Sequence, residues 1–177
     1  MREKTYRTAL GGILTALAVT MLFLGSVFPF AEISGPALAS VCILLIREEM
    51  TAGAALSVYA AVSALSLILV PDKESVLLFV CFFGWFPVLK HALDRRMGYV
   101  PALVLKLIAF NASIVLMYYI ILKVVVMQTV AEEFAEYTTA MYVAVMLLAN
   151  FTVIILDFAF SKIVFLYRNV WRKKLVR

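Results

Sequence analysis

The sequence predicts an all-α integral membrane protein, a single domain over residues 1–177 built as a bundle of six transmembrane helices with both termini cytoplasmic. Composition is the first reason: 65% of the residues are hydrophobic and 15% charged, where ordinary globular domains carry about 25% charge. The second is that the apolar residues run in long uninterrupted blocks: Ala9–Phe30, Ile33–Ile46, Ala52–Val70, Val76–Leu89, Val100–Val126 and Tyr137–Leu166. The third is that most of the 16 lysines and arginines fall in every second gap between those blocks. In hydrocarbon each backbone amide must be satisfied internally, which leaves helices or a closed barrel, and continuous rather than alternating apolar runs select helices. Six spans of about 20 residues consume roughly 120 residues, so the loops are short and no soluble domain fits.

Taken in order, the first block follows Arg2, Lys4 and Arg7, which put the amino terminus inside by the positive-inside rule. Its length and the lack of a small-residue cleavage site predict a retained helix rather than a signal peptide. Gly25 and Pro29 should loosen its outer end. The next gap carries Glu32 and no basic residue, so it lies outside, and Arg47 returns the chain to the inside. The second block is short. Gly35–Ile46 is 12 residues, about 18 Å of a roughly 30 Å core, and it spans only if extended back through Ala31, or is partly re-entrant. Pro36 suits its opening turn.

Pro71 ends the third helix, and Lys73 lies in the outer gap that follows. The fourth block contains Phe82-Phe83-Gly84-Trp85-Phe86-Pro87, where Pro87 removes a bond to the Phe83 carbonyl and predicts a kink. Lys90, Arg95 and Arg96 mark the next inner gap, and Pro101 opens the fifth helix. Lys123 borders an outer acidic segment with Glu132, Glu133 and Glu136. The terminal Arg172, Lys173, Lys174 and Arg177 read as an orientation signal and a contact for anionic lipid. A nucleic-acid footprint would need clustered charge on a folded surface, so no nucleic-acid partner is expected.

Enzymatic chemistry finds little material. His91 is the one histidine, there is no HExxH and no glycine-rich phosphate loop, and Cys42 and Cys81 lack CxxC spacing. The cysteines read as small buried hydrophobes, and neither a metal nor a cofactor is expected. With no nucleotide-hydrolysing motif of its own, any uphill transport must draw energy from a partner or an ion gradient.

Three groups of residues are candidates for function. Thr8, Gly12, Ala16 and Thr20 recur at four-residue spacing on the first helix, with Gly11 and Thr15 on an adjoining row. Such a smooth stripe lets another helix approach closely, either within the bundle or on a separate membrane subunit. Lys106 and Asn111 on the fifth helix, and Asn150 and Asp157 on the sixth, are polar inside apolar spans, where such groups are costly. In an antiparallel hairpin turning near residue 131, Lys106 shares a depth with Asp157, and Asn111 with Asn150. These are read as helix-locking pairs, or else as a polar patch that touches substrate or moves between states. Glu32, Asp72, Lys73 and Glu74 lie at the outer ends of helices, where they end helices or meet an entering solute. Phe82, Phe83, Trp85 and Phe86 are expected to be bundle core and interfacial belt.

On these features the whole chain resembles the S components of bacterial energy-coupling factor transporters, the membrane subunits that bind substrate. Size, six spans and inside termini agree, and the stripe Thr8, Gly12, Ala16, Thr20 matches the small-xxx-small face with which S components dock onto a transmembrane coupling subunit. The family's usual Ala-xxx-Ala is here Gly12-Ile-Leu-Thr-Ala16. The wider pattern, Leu-Gly-Ser in the first helix, Pro71-Asp72-Lys73, Phe-Phe-Gly-Trp-Phe-Pro and Lys106 to Asn111, is similar to S-component-like membrane proteins of Clostridium-type bacteria. The resemblance implies a solute of the vitamin or precursor class bound in the outward half under the external loops, with Glu32, Asp72, Lys73 and Asn111 as contacts. It implies a coupling subunit and two cytoplasmic ATPases as partners, and the bacterial cell membrane as location. Absence of amino-terminal histidines argues against the cobalt and nickel branch. A small membrane scaffold or assembly protein is the competing expectation, and an ion-coupled carrier using Asp157 and Lys106 a third.

Overall fold

The computed structural model describes residues 2–28, 31–121 and 139–171. Pro29, Lys123, the acidic group Glu132, Glu133 and Glu136, and the terminal cluster Arg172, Lys173, Lys174 and Arg177 lie outside the described residues. Within them the chain is helical, and no strand occurs. The elements are α1 (Arg2–Val27), α2 (Ser34–Glu49), α3 (Ala52–Leu69), α4 (Lys73–Leu78), a π turn (Phe79–Phe83), α5 (Phe86–Arg96), α6 (Tyr99–Ile120) and α7 (Thr139–Leu166), which ends in a second π turn (Tyr167–Trp171).

Among the described residues, five stretches are long and apolar enough to cross a membrane: Thr5–Val27, Ala52–Leu69, Lys73–Arg96, Tyr99–Ile120 and Ala140–Asn169. The outward faces of α3, α6 and α7 carry Ile68, Val100, Val115, Leu147 and Phe151, all more than half exposed, an arrangement suited to lipid and not to water. The chain is a multi-pass membrane protein. The second element is not among the five. Its 16 residues rise about 24 Å, short of a roughly 30 Å core. Instead α2 packs against α1, α3, α4, the first π turn, α5 and α7, and Gly35, Pro36, Ala39, Ser40, Cys42, Ile43, Leu44 and Ile46 are buried. The second block, expected to be short or partly re-entrant, is thus the one element of the six that falls short of a span among the described residues. Protein rather than lipid surrounds most of α2, so its length need not match the bilayer.

Close approach of α1 and α2 depends on a glycine pair. A Cβ on Gly25 would lie 2.7 Å from Gly35 Cα, and one on Gly35 would lie 3.0 Å from Gly25 Cα, so backbone meets backbone at this crossing. Gly25 thus joins two helices where the sequence suggested a loosened end. Below it, Leu14, Ala18 and Leu22 of α1 enter the same core as Ala39, Ile43 and Ile46 of α2, the three- and four-residue spacing of one helix face.

The fourth block breaks differently from the kink expected at Pro87. Its ladder first loosens at the π turn, where Gly84 N–H donates to the Phe79 carbonyl at 2.8 Å. Side chains then take carbonyls of this turn: Tyr59 hydroxyl donates to Val80 O at 2.7 Å and Trp85 indole to Cys81 O at 2.7 Å. Pro87 falls in the first turn of α5, where its missing amide costs little. Aromatic rings stabilise the broken span: Phe82 meets Phe110 edge-on at 4.8 Å between centroids and Phe86 at 4.7 Å, while Phe86 reaches Phe160 of α7 at 6.0 Å. Each such pair contributes about 0.5–1.5 kcal/mol beyond burial.

Gly84 is where this arrangement tolerates least. A Cβ there would sit 2.5 Å from Tyr59 Cε2 and 3.0 Å from Phe79 Cε1. Gly84→Ala is expected to displace the Tyr59 ring, orphan the Val80 carbonyl and destabilise by about 2–4 kcal/mol. Gly53→Ala, whose new methyl meets only ordinary contact at 3.9 Å, should be neutral or stabilising. Thermal melting of both variants in detergent checks this, and an equal response would contradict the packing described.

Candidate functional site

Four charges from three helices converge near the Arg95–Arg96 end of α5. Phe86, Lys90 and Asp94 recur every four residues and so share one face of α5; the first two are buried in the bundle. Lys106 enters from α6, Asp157 and Ser161 from α7. Lys90 is 4% exposed, Lys106 1% and Asp157 2%, whereas the Asp94 side chain is 38% exposed.

One oxygen of Asp157, Oδ1, accepts from both lysines, 2.7 Å from Lys90 Nζ and 2.7 Å from Lys106 Nζ. Asp94 spans the same two ammonium groups with its two oxygens, Oδ2 at 2.9 Å from Lys90 and Oδ1 at 2.6 Å from Lys106. Lys90 also donates to Ser161 Oγ at 2.9 Å, and the Ser161 hydroxyl donates in turn to the Asp157 carbonyl one helical turn back. The quartet is neutral in sum, and a buried charge left unpaired is strongly unfavourable.

The residues that share a depth in the antiparallel pairing of α6 and α7 are in contact. Lys106 lies against Asp157, and Asn111 and Asn150 exchange two amide bonds, Asn111 Nδ2 to Asn150 Oδ1 at 2.8 Å and Asn150 Nδ2 to Asn111 Oδ1 at 3.2 Å. Each asparagine also donates to its own helix, to Leu107 O and Met146 O. The pair therefore spends its polarity on α6 and α7. Lys90 and Asp94 were missed: Lys90 counted only as an orientation charge, and Asp94 carried no role. The signal was the four-residue spacing Phe86, Lys90, Asp94, which runs an aromatic core face into two charges of opposite sign.

At the other end of the bundle, Glu32, Asp72 and Lys73 come together as helix ends. Asp72 caps α4 by accepting from Glu74 N at 3.0 Å and Ser75 N at 3.2 Å, and it also accepts from the Ser75 hydroxyl. Lys73 donates to Leu67 O and Val70 O at the end of α3, at 2.9 and 2.8 Å. Ser75 Oγ lies 3.0 Å from the Glu32 carbonyl, joining the two turns, and the Glu32 residue is exposed. Asn111 is not brought to this group. It sits twelve residues along α6 from Tyr99, about 18 Å into the span, with its amide engaged by Asn150.

The α1 stripe points away from the bundle. Thr8, Gly12, Ala16 and Thr20 are all exposed, while Gly11 and Thr15 on the adjoining row are half-buried. A Cβ on Gly11 would touch Val58 of α3 at 3.8 Å, but one on Gly12 would meet nothing within 4 Å. A groove of about 440 Å³ runs between α1 and α3, lined by Thr8, Gly11, Gly12, Thr15, Ala54 and Ser57 among others. Internal packing is thus the task of the Gly11 row.

The Arg95–Arg96 end is also tied together by α2. Glu48, whose side chain is 4% exposed, accepts from Arg168 Nε at 2.7 Å and meets His91 Nδ1 at 3.2 Å. Tyr167 hydroxyl donates to Glu49 Oε1 at 3.0 Å. The ends of α2, α5 and α7 therefore lie together.

No family model, curated protein or solved structure matches this chain.

The quartet makes a definite energetic demand. Asp157→Asn leaves two buried ammonium groups facing one rim carboxylate, and is expected to cost about 3–5 kcal/mol. The double variant Lys106→Met with Asp157→Leu leaves Lys90 and Asp94 as a balanced pair and should recover most of that loss. Melting temperatures of the three proteins check this, and a double variant no more stable than Asp157→Asn would contradict it.

Proposed function

We propose that this chain is an S-component-like membrane subunit that binds a small solute of the vitamin or precursor class for uptake driven by ATP hydrolysis in a partner module. In this reading it carries no catalytic activity and crosses the bacterial cell membrane six times, α2 included, with both termini cytoplasmic. The exposed stripe on α1 is the observation that carries it. Thr8, Gly12, Ala16 and Thr20 form a smooth surface beside a groove, and a Cβ added at Gly12 would meet nothing within 4 Å among the described residues. Smooth faces allow close helix packing, which is a main source of association in lipid. A second transmembrane helix, supplied by a coupling subunit, suits such a face.

Two further features support the reading. The two turns that carry Glu32 and Pro71–Lys73 meet at one end of the bundle, and the ends of α2, α5 and α7, with their basic residues Arg47, Arg95, Arg96 and Arg168, meet at the other. That division fits the positive-inside rule with the basic end in the cytoplasm and leaves the first pair of turns outside, where solute enters. Glu32, exposed and outward, is the leading contact for a solute; Asp72 and Lys73 reach it only by giving up their caps.

A second reading, a membrane scaffold without transport, is favoured by those caps and by the internal pairing of Lys106 with Asp157 and of Asn111 with Asn150. All of these have structural work that needs no ligand.

Gly12→Leu separates the two. The side chain enters open space, so the melting temperature of the isolated protein should stay within about 2 °C of wild type. Purified from the native host with a tag, the wild type is expected to bring down a membrane subunit and two ATPases, and Gly12→Leu at least tenfold less of them. Wild type that captures no ATPase and binds no small molecule would sink the transport reading.

A further inference from the structure

The charge quartet is asymmetric in a way that a purely structural ion network has no need of. Its three buried members, Lys90, Lys106 and Asp157, sum to one positive charge, and the carboxylate that neutralises it, Asp94, is the only member open to water. Asp94 spans the two ammonium groups with one oxygen on each, at 2.9 and 2.6 Å. This is the way two lysines hold any oxyanion with two oxygens on a common centre, and charge-assisted bonds of this length are strong. A helix lock requires one cation and one anion. Here a second lysine has been buried, and the group that compensates it stands at the rim.

We propose that Lys90 and Lys106 form an oxyanion clamp, that Asp94 is its built-in occupant, and that a phosphate-type anion takes Asp94's place from the Arg95–Arg96 end of the bundle. The exchange keeps the site neutral, because one incoming negative charge replaces the departing carboxylate. Asp94 loses little on leaving, since its side chain is already partly hydrated. Asp157 stays behind as the fixed counter-ion: its Oδ1 is bonded to both lysines, and Ser161 holds the third donor of Lys90. Fixing the two ammonium groups in advance lowers the ordering cost of binding. Inorganic phosphate and the phosphate of an acidic lipid headgroup offer the same oxygens. The clamp is separate from whatever the outer turns bind, because Lys106 and Asp157 stand at the opposite end of α6 and α7 from those turns.

Removing the occupant should open the clamp. Purified full-length Asp94→Ala is expected to melt below wild type in chloride and to be restored by inorganic phosphate at equal ionic strength. Its midpoint for phosphate should be at least tenfold lower than that of wild type, where Asp94 competes. Phosphate also stabilises proteins non-specifically, so Asp94→Ala with Lys106→Met is the control: Lys90 and Asp157 remain balanced, and the saturable response should vanish. The same melts in lipid discs of phosphatidylglycerol against phosphatidylcholine distinguish the sources. Restoration by free phosphate assigns a soluble anion, and restoration only in phosphatidylglycerol assigns a headgroup. Asp94→Asn, which keeps the shape and removes the charge, carries the same test if the alanine variant does not fold. A response to phosphate no greater than to chloride, a response that survives Lys106→Met, or failure to recover either Asp94 variant in any of these media overturns the clamp.

Discussion

A single carboxylate oxygen shared by two buried ammonium groups is the constraint on which the second half of the bundle depends. Lys90, Lys106 and Asp157 come from α5, α6 and α7, and each is almost wholly removed from solvent. Burying any one of them alone is prohibitive, so the three helices must hold a common register and rotation. The Asn111–Asn150 pair repeats the demand farther along the same two helices. Two polar contacts at different depths define the pairing of α6 and α7 where apolar faces alone would permit sliding, since lipid offers those faces no preference for protein.

The first half of the bundle relies on shape. Gly25 and Gly35 bring α1 and α2 to backbone contact, and the short α2 is then enclosed by neighbours on most of its length. The broken span Lys73–Arg96 joins the halves. Its π turn shifts the register of side chains, so that Phe82 and Phe86 pack against each other and against α6 and α7 while Lys90 and Asp94 continue the same face into the charge quartet. Carbonyls of the π turn accept from Tyr59 and Trp85, which makes the irregularity compatible with a nonpolar surround.

Much of this was legible in residue order. Six apolar blocks and their basic gaps led to the helices, and equal depth in an antiparallel hairpin was enough to pair Lys106 with Asp157 and Asn111 with Asn150. Helical rotation was not legible. It turned Lys90 inward, though it had been read as a boundary charge, and gave Asp94 a place in the site. It also turned the Thr8, Gly12, Ala16, Thr20 stripe outward and left Gly11 to face α3. Rotation depends on which neighbours surround a helix, and a chain that is apolar on nearly every face carries little amphipathic signal to reveal them.

The sequence by itself determined the solvent, the all-helical class, and that Lys106, Asn111, Asn150 and Asp157 lie deep enough to require partners, because each follows from length, hydropathy and the cost of burying charge. Only the tertiary structure decided that protein encloses the short α2, that the fourth span breaks at a π turn rather than at Pro87, and that Asp72 and Lys73 are engaged as caps. It also decided that two lysines share one aspartate oxygen while a second aspartate closes the site from the rim. These are questions of which faces meet, and they are settled by close contact between residues distant in the chain.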